Sequence, residues 1–224
     1  MAKKANLAVM KITSLIIYVI FIALAILLYT GGIESDPLRV KYTFLGNTLS
    51  DLGMIVGYNG LSNLYSMVIF TIGTFLFGLS FVPFNIGFPK LFIGKTMPKI
   101  LAIVASVVGY FAALGMVLIA FTPHNYSELV NLLHILGVYV AYVSIFLSTL
   151  LYAVAIFLEK SVKNGYAIIA LVFCAIFLAT LLMGLLGIGG TASNLIQQIG
   201  QKLGRSVTVL TYIVLSIPLL KSNE

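Results

Sequence analysis

Six uninterrupted apolar stretches leave this chain very few ways to fold. They run Ile12–Thr30, Asn63–Val82, Ile100–Phe121, Asn131–Leu158, Tyr166–Gly187 and Ser206–Leu220. A helix needs about 20 mostly apolar residues to cross the hydrocarbon, or roughly 17 at the short end. The last stretch therefore reaches across only if Lys202–Arg205 opens the same helix. Inside lipid every backbone N–H and C=O must find an internal partner, which leaves helices or closed barrels. None of the stretches alternates apolar and polar residues as a barrel strand does. The expected fold is an all-α integral membrane protein, one domain of six transmembrane helices over residues 1–224, with short amphipathic helices in the outer loops. A hydrophobic fraction of 61% against 8% charged residues excludes an ordinary soluble domain.

Charge placement sets the expected orientation. With the N-terminus inside, Lys3, Lys4, Lys11, Lys90, Lys95, Lys99, Lys160, Lys163 and Lys221 fall on the cytoplasmic side, and Arg39, Lys41, Lys202 and Arg205 fall outside. Nine against four is the direction the positive-inside rule demands. Glu34, Asp36, Asp51 and Glu128 fall outside, Glu159 and Glu224 inside. The expected location is the cell membrane, multi-pass, with both termini cytoplasmic. The net charge of +7 is thus a topology signal, and no motif supports nucleic-acid binding. Lys90–Lys99 would lie near anionic headgroups. The first stretch follows a basic leader, yet it is long and Tyr29-Thr30-Gly31-Gly32 is a poor cleavage site, so it reads as a retained helix.

A lone cysteine, Cys174, excludes an intrachain disulfide and a zinc–thiolate cluster, and reads as a small packing residue. Ala105, Gly109 and Ala113 repeat at four-residue spacing in the third span, and small residues let helices approach closely in lipid. Gly184 and Gly187 read as packing or as a local helix break. No internal repeat, phosphate-binding loop, haem-attachment motif or nucleotide fingerprint is present.

Polar residues gather in three segments on the expected outer side. In Asn47-Thr48-Leu49-Ser50-Asp51-Leu52-Gly53, helical winding puts Asn47, Ser50 and Asp51 on one face, with Gly53 as the stop. The same residues also suit a capped turn, with Asn47 as N-cap and Asp51 bonding local amides. Pro123 ends the third span. Beyond it, Asn131 and His134 share a face of the fourth helix, and an ionisable group in a span faces the bundle interior or a water-filled cavity. Asp51 is the expected partner of His134. In Ser193–Arg205, Asn194, Gln198, Gln201 and Arg205 form one stripe opposite Leu195, Ile199 and Leu203. Arg205 suits a carboxylate or phosphate, and equally suits snorkelling to headgroups.

The Asn-x-x-Ser-Asp-Leu-Gly segment (47–53), the histidine at the start of the fourth span and Gln201-Lys202-Leu203 before the sixth together resemble a known pattern. It is that of the bacterial and archaeal membrane family catalogued as domain of unknown function 998, over nearly the whole chain. More distantly, the chain is similar to the six-span DRAM/Frag/Sfk family, which is tied to lipid handling, GPI-anchor processing and autophagy regulation. Lys202 stands where the closer family often has arginine, which keeps the charge and loses the bidentate fork. The resemblance carries over to Asn47, Ser50, Asp51, Gly53, His134, Gln201 and Arg205, and it implies a lipid-linked role.

Three function classes follow. In the first, membrane lipids are the partners: an outward-facing polar pocket holds a lipid headgroup or small amphiphile through Asn47, Ser50, Asp51, Asn131, His134, Gln198, Gln201, Lys202 and Arg205, with no cofactor. In the second, the chain is an accessory or regulatory subunit docking other membrane subunits. In the third it is a membrane hydrolase or transferase, with Ser50 as nucleophile or Asp51 and His134 as an acid–base pair. A metal version would be similar to lipid amidases that use three histidines and an aspartate. Here only His124 and His134 exist, so Asp51 or Glu128 would have to be the third ligand, and no metal is expected.

Overall fold

The computed structural model describes residues 2–93, 96–159, 162–186 and 191–222, with side chains described outside 2–3, 183–186 and 191–194. Lys95, Lys160, Gly187, Glu224 and the side chains of Lys3, Ser193 and Asn194 lie outside the described residues. The chain forms α1 (Ala2–Leu28), α2 (Leu64–Leu79), α3 (Phe81–Gly87), α4 (Met97–Phe121), α5 (Glu128–Leu158), α6 (Asn164–Leu186) and α7 (Thr191–Lys221). Two 3-10 turns, Ser50–Gly53 and Phe88–Leu91, complete it, and no strand occurs among the described residues. Among the described residues, six helical segments are long and apolar enough to cross a membrane: Lys4–Leu28, Leu64–Leu91, Met97–Phe121, Glu128–Leu158, Asn164–Leu182 and Leu195–Lys221. This is the architecture of a multi-pass helical membrane protein.

Local chemistry explains the differences from the six apolar stretches. The second span is interrupted at Ser80, where Pro83 has no N–H to give to the Leu79 carbonyl. Residues 193–205 do not form a separate loop helix; they are the opening turns of the continuous α7, which gives the last span its full length. Nor is Asn47–Gly53 an α-helix, since only a single 3-10 turn forms there, at Ser50–Gly53. α6 runs unbroken through Gly184.

Helix packing rests on small residues at specific crossings. A Cβ on Gly115 would stand 2.5 Å from the Ala141 backbone nitrogen and 2.7 Å from the Gly137 carbonyl oxygen, so α4 and α5 touch backbone to backbone. The stripe on α4 packs as expected but serves different neighbours. The Ala105 carbonyl accepts the Ser148 hydroxyl at 2.8 Å, Gly109 makes room for the Asn85 amide, and the Ala113 carbonyl lies against Gly78. Buried polar groups bond across helices: Tyr152 donates to Asn85 Oδ1 at 2.9 Å and its hydroxyl meets Ser106 Oγ at 2.8 Å. Cys174 is buried and free.

Lys11, read in the sequence as part of a basic leader, lies inside the bundle. It is fully enclosed, with Nζ donating to Ser80 Oγ at 2.9 Å and standing 3.5 Å from the Phe81 ring centroid and 4.5 Å from that of Tyr212. Leu7 and Leu219 both pack at Gly87, so the beginning of α1 and the end of α7 share one end of the bundle. The polar segments lie at the other.

Candidate functional site

The α1–α2 connection is built to hold Asp51 still. Gly31 and Gly32 take positive φ angles of 116° and 84°, which turn the chain back on itself. Asn47, completely buried, then ties the returning segment together. Its Oδ1 accepts the Thr43 N–H at 2.9 Å, while Nδ2 donates to the Gly32 carbonyl at 3.0 Å and to Asp51 Oδ2 at 3.1 Å. Thr48 and Asp51 close a capping box: Asp51 Oδ2 accepts the Thr48 N–H at 2.9 Å, and Thr48 Oγ1 accepts the Asp51 N–H at 3.2 Å. Thr48, rather than Asn47, thus exchanges the reciprocal bonds with Asp51 ahead of the 3-10 turn, whose N-cap position is Leu49. The Thr48 hydroxyl also donates to Asp51 Oδ1 at 2.6 Å. Below this turn Asn63 donates to the Met54 and Leu52 carbonyls at 3.0 and 3.2 Å, and Gly53 lies against the face of Phe70.

The α4–α5 corner supplies the histidines. Pro123 restricts the residue before it, so α4 stops at Phe121 and the Thr122 carbonyl turns out of the helix. Ser127 then caps α5, its Oγ accepting the Val130 N–H at 3.3 Å. Two turns into α5, the His134 Nδ1 meets the freed Thr122 carbonyl at 2.7 Å. A carbonyl only accepts, so Nδ1 carries the proton and Nε2 is the acceptor. Ser50 Oγ lies 3.1 Å from that Nε2 and donates to it. Asn125 ties the corner to the α1–α2 connection, accepting from the Ile55 N–H at 3.2 Å and donating to the Val56 carbonyl at 2.9 Å. That places His124 Nε2 3.8 Å from Asp51 Oδ1 and the two imidazole centroids 5.7 Å apart. Burial lowers the His124 pKa, and the Asp51 carboxylate partly opposes the shift. Burial, then the field of Asp51, keeps the Tyr42 and Tyr58 phenols above their ordinary range.

A cavity of about 560 Å³ opens between these two connections and α5, α6 and α7. Its polar end carries Ser50, Asp51, His124, Asn131, His134, Gln198, Gln201 and the carboxylate-bearing Glu34, and its apolar wall includes Val138, Val143, Leu178 and Leu181. Gln198 also donates to the Gly46 carbonyl at 3.1 Å, fastening α7 to the same loop.

Lys202 and Arg205 line a different space. Together with Tyr18, Phe44, Leu49 and Val209 they border a groove of about 340 Å³ between α1 and α7. Lys202 donates to the carbonyls of Asn47 and Gln198. Arg205 Nε donates to the Tyr142 hydroxyl at 3.2 Å. Ser50, Asp51 and His134 meet Asn131, Gln198 and Gln201 in one cavity, but the expected Asp51–His134 pairing does not form: His134 bonds to Ser50 and the Thr122 carbonyl, and His124 is the imidazole that approaches Asp51. The guanidinium faces the adjoining groove, and Asn47 braces Asp51 from within the wall without lining either space.

From the sequence His124 figures only as a conceivable metal ligand, and Thr48, Asn125 and Asn63 carry no assigned role. The Thr-x-x-Asp spacing of 48–51 is the available signal for the capping box; nothing local marks Asn63 or Asn125. No group of three His, Cys, Asp or Glu side chains among the described residues is arranged to hold a metal ion. Comparison with protein-family models, with curated proteins and with solved structures gives no match.

Proposed function

We propose that this protein is a membrane receptor for an amphiphile, with the headgroup seated at the Ser50–Asp51–His134 end of the larger cavity. The observation that carries this reading is the cavity's division into a polar end and an apolar α5–α6 wall. Asp51 and Glu34 border it while Lys202 and Arg205 face elsewhere, which favours an uncharged, hydroxyl-bearing or amine-bearing headgroup over a phosphate. Gln201 and Asn131 supply amides for such a group. The lysine and arginine distribution supports a cell-membrane location with this end outward. The resemblance to the two membrane families agrees with a lipid-linked role.

The test is mass spectrometry of lipid co-purifying with the full chain and with two variants, Gln201→Leu and Val138→Trp. The first removes a headgroup amide and the second fills the cavity. A lipid class retained by the wild type and depleted in both variants, with melting temperatures preserved, is the expected result. Identical lipid profiles in all three overturn the reading.

One observation favours a second reading, in which the site transfers an acyl group. Ser50 donates to an acceptor nitrogen whose ring is oriented by the Thr122 carbonyl, the arrangement that activates a nucleophilic hydroxyl. A fluorophosphonate separates the two readings. Labelling at Ser50 that disappears in His134→Gln supports acyl transfer; no labelling of folded wild type supports binding alone.

A further inference from the structure

We infer that the groove between α1 and α7 is a second, separate site that takes the anionic head of an acidic amphiphile, a carboxylate or a phosphate. Arg205 is the central charge of this groove. Only 8% of the residue is exposed, Nη1 is buried without a hydrogen-bond partner, and Nε donates to the phenol of Tyr142, with Tyr18 beside it in the groove. Its guanidinium also stands 5.3 Å from the Phe77 ring centroid and 5.5 Å from that of Tyr142. Neutral hydroxyls and ring faces solvate a cation without neutralising it, and a buried charge lacking a counter-ion is costly. An anion entering the groove beside Arg205 would supply the missing charge.

Lys202 extends the same electropositive face. Three residues before Arg205 on α7, its ammonium has three donors, two of which go to the Asn47 and Gln198 carbonyls. The rest of the groove is apolar, with Tyr18, Phe44, Leu49 and Val209 around the cations. Its rims, Val19 and Leu210, are 50% and 64% exposed, and in a bilayer those residues meet acyl chains. Cations inside and hydrocarbon outside fit a molecule with an anionic head and a greasy tail, entering sideways from the membrane.

The two spaces lie on adjoining faces of α7. Gln198 and Gln201 face the larger cavity; Lys202, Arg205 and Ser206 face the groove. The inference therefore stands independently of the amphiphile proposed for the larger cavity.

Thermal unfolding of the full chain in maltoside micelles tests it, with titration of oleate, phosphatidylglycerol, phosphatidylcholine and inorganic phosphate. Oleate, phosphatidylglycerol or both should raise the melting temperature saturably. A response to oleate alone assigns a carboxylate and to phosphatidylglycerol alone a phosphate. Arg205→Gln should weaken half-saturation by roughly tenfold or more, since charge-assisted bonds are the strong ones. Val209→Trp fills the groove while keeping both cations, and should abolish the response even if Arg205→Gln does not fold. Gln201→Leu, in the other cavity, should leave it unchanged. An equal shift with phosphatidylcholine, a full shift with phosphate alone, or an undiminished response in Val209→Trp overturns the inference.

Discussion

Ser50 gives its hydroxyl proton to His134 Nε2 across 3.1 Å, and it does so because the other ring nitrogen is committed to the Thr122 carbonyl at 2.7 Å. The two bonds differ in what their loss exposes. Ser50→Ala leaves Nε2 facing a cavity where water can replace the hydroxyl, so the expected cost is about 1 kcal/mol. His134→Ala strands the Thr122 carbonyl and empties a side-chain volume, so the expected cost is roughly 2–4 kcal/mol. Denaturation of both variants in one detergent checks the order. In ¹⁵N-histidine spectra of the wild type, the His134 Nε2 resonance should show an unprotonated nitrogen.

Asn47 gives a sharper stability prediction because nothing else can take its place. Its amide holds Thr43, Gly32 and Asp51 at once, wholly out of water. Asn47→Ala leaves those groups unsatisfied and should cost about 2–3 kcal/mol, while Asn47→Asp adds a second carboxylate beside Asp51 and should cost more. Asn47→Ala unfolding no more easily than wild type would mean that water satisfies these groups and the latch is not structural.

How far the sequence foretells this arrangement depends on the range of the signal. The number and order of the spans follow from hydropathy, though not the full length of the second and last, and Pro123 dictates where α4 ends and so why Thr122 has a free carbonyl. Asn131 and His134 share a face by helical spacing. What cannot be read is which loop reaches which: Asn125 binding the backbone of residues 55 and 56 is a contact between segments about seventy residues apart, and polar composition does not encode it. Arg205 is expected beside Asp51 because both lie at one end of the bundle. The rotation of α7 decides otherwise, turning the guanidinium toward Tyr142 and Tyr18. Lys11 reads only as part of a basic leader, and the fold shows three aromatic helix segments closing over it.

The closest helix crossing is equally hidden, and it makes a prediction with its own control. A methyl on Gly115 or Gly137 would stand within 2.5–3.1 Å of the facing helix's atoms, several of them backbone that cannot rotate away. Gly115→Ala and Gly137→Ala should each cost about 1–3 kcal/mol. Gly165, at the start of α6, has nothing within 4 Å of the place an added methyl would occupy. Gly165→Ala should be neutral or stabilising by up to about 1 kcal/mol. Melting temperatures of the three variants give the comparison, and equal losses at all three positions would remove the close-packing argument.

His124 contributes a pH dependence at this end of the molecule. Burial holds its folded-state pKa below the ordinary value of about 6.5, with Asp51 limiting the shift. As pH falls, the unfolded chain therefore takes up the proton first, so His124's contribution is intact above about 6.5 and is lost as pH falls through the folded-state value. Asp51→Asn removes the opposing charge and should move His124's titration lower still. The measurement is the melting-temperature difference between wild type and His124→Asn from pH 8 to pH 5, alongside the His124 ring titration by NMR in wild type and Asp51→Asn. Wild type should lose ground to the His124→Asn variant below about pH 6.5. If Asp51→Asn instead raises the ring's titration point, the carboxylate is not acting on His124 as the 3.8 Å approach requires.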